Sequence, residues 1–225
     1  MRHEIALDGF IITSDNSAAI GEKPQDVVHV SDAFTAKFAA RVALLEQWAA
    51  GSVPQAVLIH NFSGASSWEA YVDGVTELFS EANVALPEIS GSSETNMTTQ
   101  QSGIAVTMIG KQQRTQLPAS VLRWFVYGVP LVGEAVVTKK YQLANLGVIQ
   151  QALDESLIER IWPVGSKGIA QEYQLVFGQS VKLSSTLDLS CSGGPATSVL
   201  IGVLPEKSEH VQRFFGELLS AIEIM

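Results

Sequence analysis

Along residues 32–50 (DAFTAKFAARVALLEQWAA) apolar side chains recur at helical spacing through Phe38, Val42, Leu45 and Ala49, and Gly51 stops the run. That spacing predicts a helix with one apolar stripe. A second stripe, formed by Trp68, Tyr71, Val72, Val75, Leu78 and Phe79, follows Ser67 as a candidate N-cap with Glu69 and Asp73 in the early turns. Shorter apolar runs lie around these two. Phe10-Ile11-Ile12-Thr13 follows the turn dipeptide Asp8-Gly9 and runs into Asp15-Asn16, Ala56-Val57-Leu58-Ile59 ends at His60-Asn61, and Ile104-Ala105-Val106-Thr107-Met108-Ile109 ends at Gly110. Their length and β-branched content predict strands. The first half therefore alternates strand, helix, strand, helix, loop, strand, the loop being SGSSETNMTTQQSG at 90–103.

Residues 111–118 (KQQRTQLP) are polar, lack periodicity and end in proline, which marks a linker. Beyond it the pattern predicts a Val/Tyr/Leu-rich run at 121–127 and a glycine-punctuated stretch to Gly133. A helix near 143–160 and the segment PVGSKGIAQE at 163–172 follow. The loop SGGPATS comes next, then a strand at 199–204 and a terminal helix carrying Val211, Phe214, Phe215, Leu218 and Ile222. The expected organisation is α+β, in two α/β halves at 1–112 and 118–225.

Composition narrows the function classes. With 46% hydrophobic and 16% charged residues the chain has the makeup of a folded globular protein. Its formal charge is −9, and no basic run exceeds the pair Lys139-Lys140, so a nucleic-acid partner is not expected. No apolar stretch approaches a membrane span and the opening MRHEIALDGF has no signal-like apolar core, which points to a cytoplasmic chain without a membrane partner. The sequons Asn61-Phe62-Ser63 and Asn96-Met97-Thr98 then read as coincidental. Cys191 has no second cysteine to pair with.

The standard catalytic signatures are missing. Gly110-Lys111 has Ala105 and Gln112 where a Walker A loop needs glycine and a hydroxyl, and no G-x-G-x-x-G follows a strand. There is no G-x-S-x-G elbow, and His3, His29, His60 and His210 show no metal-ligand spacing. Three acids remain: Asp15 at the end of IITS, Glu46 at the edge of the first helix stripe, and Glu94 in the polar loop. Each has an ordinary reading, as an Asx turn, a solvated helix charge and a loop acid respectively. Together with Gly91-Ser92-Ser93 they also fit phosphoryl transfer, which needs carboxylates for Mg2+ and backbone N–H groups for phosphate oxygens.

The order of features resembles the aminoimidazole ribonucleotide synthase-like (PurM-like) superfamily. The matching pieces are IITSD at 11–15, LLEQWAAGSVP at 44–54, GSSETN followed by GIAVTMIG before and along a strand, and SGGPATSVLIGVL at 192–204. Within that superfamily the stretches SDNSAAIGEKPQDVV, LIHNFSGASSWE, ISGSSETNMTTQQSGIAVTMIGK and PVGSKGI are most similar to a small member that phosphorylates the 5′-hydroxyl of the riboside α-ribazole in cobamide salvage. The resemblance implies two α+β domains, a homodimer built through the N-terminal strands as a dimer sheet or barrel, and ATP with Mg2+ as cofactors.

It also implies roles. Asp15, Glu46 and Glu94 fall on metal-binding acids, Asp15 and Glu94 being catalytic, while Asn16, Gly91, Ser92, Ser93, Thr95, Asn96 and Lys167 fall on the ATP and phosphate site. For the acceptor, His60, Asn61 and Phe62 follow a buried strand, and the Phe62 ring either stacks on the acceptor base or anchors its loop. Lys167 either meets a phosphate or is a solvated turn lysine. The chain departs from the family pattern at Asn16, where a second Asp is usual, and at Ser93, where a glycine is usual. The first departure leaves the number of metals open and leaves room for a non-catalytic nucleotide-binding relative; another ATP-using relative, such as a thiamine monophosphate kinase or a ribonucleotide ligase, is the alternative enzyme.

Overall fold

A computed structural model describes residues 4–224. They divide into two compact units, one ending at Arg114 and the other beginning at Thr115.

The first unit is a five-stranded sheet with helices on one face. In chain order its elements are β1 (Ile5–Leu7), β2 (Phe10–Ala18), β3 (Ile20–Gly21), β4 (Val28–His29), α1 (Asp32–Ala49), β5 (Ser52–Asn61), α2 (Trp68–Glu81), β6 (Glu88–Ser93) and β7 (Gly103–Gln112). The sheet order is β1-β2-β7-β5-β6, and β3 and β4 pair with each other alone. Asp8 (φ 48°) and Gly9 (φ 81°) both take the left-handed conformation, which the tight hairpin between β1 and β2 requires. β5 and β6 are parallel, as a strand pair joined through α2 can be, and the other neighbours are antiparallel.

α1 starts at Ser31, whose hydroxyl accepts a hydrogen bond from Phe34 N. Its contact with the sheet is made by small residues: Ala36, Ala39, Ala40 and Ala43 are buried, and Thr13 Oγ1 donates to Ala43 O across the interface at 2.8 Å. The expected stripe is therefore only half the picture. Leu45 and Ala49 are buried, whereas Phe38 and Val42 are partly exposed, because the backbone of α1 lies close to the strands and its alanines face them. α2 buries Tyr71, Val75, Leu78 and Phe79 as the pattern predicts, but Ser67 makes no capping hydrogen bond; a 3-10 turn at Ala65–Ser67 leads into the helix instead.

The second unit contains β8 (Arg123–Tyr127), α3 (Glu134–Thr138), α4 (Leu146–Asp154), β9 (Arg160–Pro163), α5 (Gly168–Phe177), β10 (Leu183–Ser184), β11 (Val199–Val203), α6 (Ser208–Phe215), β12 (Leu219–Ala221) and β13 (Glu223–Ile224). β12-β8-β11-β9 form an antiparallel sheet around which Trp124, Val126, Trp162, Ile169, Tyr173 and Leu200 make a core. Two helices are shorter than their sequence pattern. The helix expected at 143–160 ends at Asp154, since Arg160 already pairs with Gly202 in the sheet. The terminal helix ends at Gly216, whose positive φ of 65° breaks it, and Leu219–Ala221 return to the sheet beside β8. No helix among the described residues is long and apolar enough to cross a membrane.

Candidate functional site

β2, β5 and β6 run in one direction and finish at the same end of the first unit's sheet, where β7 begins. Register aligns three rows of residues there. Asp15, Val106, Ile59 and Gly91 form one row; Asn16, Ala105, His60 and Ser92 the next; Ser17, Ile104, Asn61 and Ser93 the last. Side chains alternate between faces along a strand, and Val106, Ile59, Ile104 and Asn61 are buried on the face that carries α1. The middle row therefore lies on the opposite face. It places His60 beside Ser92, one strand spacing or about 5 Å apart, with Asn16 two further strands away. Ser14 and Thr107 share the same face, with their hydroxyls 3.1 Å apart.

At the tip of this end, one buried amide organises two connections. Asn61 is 1% exposed. Its Nδ2 donates to Gly64 O at 2.7 Å and to Ser93 Oγ at 2.9 Å, its Oδ1 accepts from Ser63 N at 2.8 Å, and its carbonyl accepts from Glu94 N at 2.8 Å. The turn 61–64 and the start of the 94–102 loop are thus held by one side chain. Ser63 adds a second tie: its hydroxyl shares a 2.6 Å hydrogen bond with Tyr71 of α2 and accepts from Gly103 N at 2.9 Å. Burial pushes the Tyr71 hydroxyl up to about 12, so it stays a neutral partner.

Glu94 follows directly. Its carboxylate accepts from Asn96 N at 2.6 Å and Met97 N at 3.1 Å. Those backbone bonds hold its carboxyl below the usual range, with Asn96 the main cause. In this conformation Glu94 caps its own loop through Asn96 and Met97, while the Gly91-Ser92-Ser93 backbone expected to cradle phosphate lies in the sheet.

The structure redraws several sequence expectations. Residues 90–93 are strand rather than loop: Gly91, Ser92 and Ser93 belong to β6 and pair with Ile59, His60 and Asn61. Only glycine fits at 91, since a Cβ there would sit 2.0 Å from Ile59 O. Asp15-Asn16 forms no turn. Both residues lie inside β2, paired with Val106 and Ala105, because the strand continues past the apolar run to Ala18. Asp15 shares the α1 face, Glu46 is 9% exposed on α1, and neither is without partners. Asp15 and Glu94 are separated by β7 and β5. Among the described residues no three His, Cys, Asp or Glu side chains are placed to hold a metal ion, so the three acids do not gather into one magnesium centre within the chain. Thr95 and Asn96 are exposed in the loop. Phe62 projects, 52% exposed, while Asn61 is committed to the turn. Lys167 belongs to the second unit, exposed just before α5. There Gly193 N donates to Gly165 O, which ties SGGPATS to PVGSKG as a structural pair of turns.

Sequence reasoning missed Lys23, Asp26, Ser63, Tyr71 and Ser102. Asp26 and Ser102 are joined by a bidentate bond across 76 positions, a separation for which the local sequence carries no signal.

No protein-family model and no curated protein matches the chain. Solved structures do. The hydrogenase maturation protein HypE aligns with 98% of this chain and 82% of its own at a TM-score of 0.64 and 12% identity. Thiamine monophosphate kinase from Aquifex aeolicus aligns with 98% and 87% at 0.62 and 14% identity, and AaThiL was also solved complexed with AMPPCP and TMP. PurL from T. maritima, complexed with AMPPCP, aligns at 0.60 and 10% identity, and the chain spans 42% of its length. The fold is the mixed α/β architecture of these proteins.

Proposed function

We propose that the chain is an ATP-dependent small-molecule kinase and, in particular, an α-ribazole kinase that moves the γ-phosphoryl group of ATP to the riboside 5′-hydroxyl. The observation that supports an ATP-dependent kinase is the fold match along nearly the whole chain to AaThiL, solved complexed with AMPPCP and TMP, and α-ribazole as the acceptor rests on the sequence resemblance alone. The stretches SDNSAA, HNFSGASSWE and GSSETN lie together at one end of the sheet, along or just after β2, β5 and β6, which supports the reading.

The residues divide the work by face and loop. Asn16, His60 and Ser92 offer donors and acceptors along one row of the open sheet face. The exposed Phe62 ring offers a stacking surface to the acceptor base. Serine-rich backbone beyond Gly91 offers close approach to phosphates once Glu94 releases the Asn96 and Met97 N–H groups. The dispersed acids do not fit a three-carboxylate magnesium centre, so no step is assigned to the metal. Catalysis by this site is positioning, with backbone N–H groups turned toward the phosphate oxygens.

A homodimer is part of the proposal. Ile5 (62% exposed), Leu7 (60%) and Phe10 (41%) lie with Ile12 on the sheet face away from α1, an apolar patch that a second copy would cover. Sedimentation at twice the 24.2 kDa chain mass supports it, and a monomer contradicts it.

A thiamine monophosphate kinase-type acceptor is the second reading, favoured by the ThiL match. Incubation with ATP, Mg2+ and each acceptor in turn, followed by mass analysis, separates them. Phosphorylated α-ribazole is the expected product. Phosphorylation of thiamine monophosphate alone transfers the assignment, and stabilisation by ATP without turnover of either acceptor identifies a non-catalytic nucleotide binder.

A further inference from the structure

The segment between β3 and β4 is folded into a small turn: Asp26 N donates to Lys23 O at 3.0 Å, and Lys23 N donates to Asp26 Oδ2 at 2.9 Å. This turn reaches across to the loop that carries Glu94. Asp26 Oδ1 accepts from Ser102 N and Oδ2 from Ser102 Oγ, both at 2.7 Å, with Asp26 6% and Ser102 2% exposed. Ser102 O accepts from Ala19 N at 2.9 Å, and a Cβ on Gly21 would stand 2.4 Å from Ser102 Oγ, so the backbone of residues 19–26, the strap, lies directly on this serine.

A second pin sits three residues earlier. Lys23 Nζ donates to Thr99 O and Thr99 Oγ1, and that hydroxyl donates in turn to Phe62 O at 2.9 Å. Gln25 and Gln101 add exposed bonds between strap and loop. The loop 94–102 is thereby fixed at its start by Asn61 and at its far end by Asp26. Asp26 and Lys23 are both ionised, and bonds to ionised groups are about twice as strong as neutral ones; Asp26 makes the fully buried contact, to Ser102.

We propose that Asp26 is a positioning residue of the nucleotide site: by seizing Ser102 it sets the conformation of residues 94–102, and with it the Glu94 carboxylate and the N–H groups of Asn96 and Met97. This rests on the reading of that loop as the phosphate end of a kinase site. Asp26 touches no reacting atom; it acts through Ser102. Its effect therefore falls on nucleotide affinity rather than on the chemical step.

The test uses the full chain, with AMPPCP as the probe for binding, ATP for turnover and amide hydrogen exchange for loop order. Asp26→Asn should weaken AMPPCP binding and raise KM for ATP by about tenfold, change kcat by less than about threefold, and speed exchange at Asn96 and Met97 while α1 and α2 keep wild-type protection. Ser102→Ala keeps the backbone half of the bond and should fall between; it also serves if Asp26→Asn does not fold. The double variant should be no worse than Asp26→Asn alone, since both remove one interaction. Wild-type binding that both single variants leave unchanged overturns this proposal alone. Failure of the wild-type chain to bind AMPPCP overturns the kinase reading and the proposal with it. Uniformly faster exchange throughout the first unit, with unchanged KM, would make Asp26 merely structural and overturn the proposal.

Discussion

The two ends of the first unit's sheet are built on different principles. At the end where β2 and β5 begin, Gln47 of α1 enters the sheet and donates to Ile11 O at 2.9 Å, Met108 O at 3.0 Å and Thr13 Oγ1 at 3.2 Å. Gly110 lies against it so closely that a Cβ would stand 2.3 Å from Gln47 Oε1, 2.4 Å from Ser52 Oγ and 2.6 Å from Val53 O. Gln47 is 0% and Ser52 2% exposed, so a methyl group added at Gly110 would press on atoms that are already buried. At the other end the chain turns through Phe62 and Met97, which are 52% and 72% exposed, and the connections are held by side chains: Asn61, Ser63, Lys23 and Asp26. One end is closed by buried contacts around Gly110, two of them with side chains. The other is a set of individually modest hydrogen bonds, of about 1 kcal/mol each, that can be exchanged for bonds to a ligand.

This contrast is broken first at the closed end. Gly110→Ala forces a methyl group into three oxygens, two of them on buried side chains, and should destabilise the protein by about 3 kcal/mol, measured by denaturant unfolding. A loss under about 1 kcal/mol would mean that this end has slack. Next comes the hinge of the open end. Asn61→Ala leaves Ser63 N, Gly64 O and Ser93 Oγ without their partner and should lose about 2 kcal/mol, with faster amide exchange concentrated in 61–64 and 93–97. Exchange that rises equally at Gly110 would erase the distinction between the ends.

The smallest effect is a pH dependence at Asp26. Burial alone would raise its carboxyl, but the bonds from Ser102 and Lys23 and the attraction of His29 outweigh it and hold the group below its ordinary value. Asp32, Glu22 and the neutral Tyr71 also face this cluster. A lowered folded pKa means that the clasp stabilises the loop fully above the ordinary carboxylate range and is lost as pH falls through the folded value. Exchange at Ser102 should therefore accelerate in acid, after correction for the intrinsic rate, and Asp26→Asn should remove that dependence.

Much of the fold was legible because it is local. Asp8-Gly9 dictates its hairpin, and the spacing of Tyr71, Val75, Leu78 and Phe79 marks the buried face of α2; of the expected linker KQQRTQLP, Lys111 and Gln112 still belong to β7. β6 was not legible: EISGSS has no alternation and one apolar residue, Ile89, being an edge strand held mainly by its backbone pairing with β5. The same holds for Asp15-Asn16, whose strand continues beyond its apolar part because β7 supplies partners on the far side of the chain. Of the site, the polar character of 90–103 was visible and its anchoring was not. Asn61 looked like a loop residue facing an acceptor, yet its amide is the buried tie between two connections, and Asp26 reads as an ordinary surface acid until Ser102 is placed beside it.

The most direct test of the account is a titration of the isotopically labelled protein with AMPPCP, following backbone amide chemical shifts. Nucleotide binding at the open end predicts shifts centred on 14–18, 60–64 and 92–102, with Asn96 and Met97 among the largest and Gly110 unmoved. Shifts absent from 92–102, or centred on the Gln47 and Gly110 end, would contradict it.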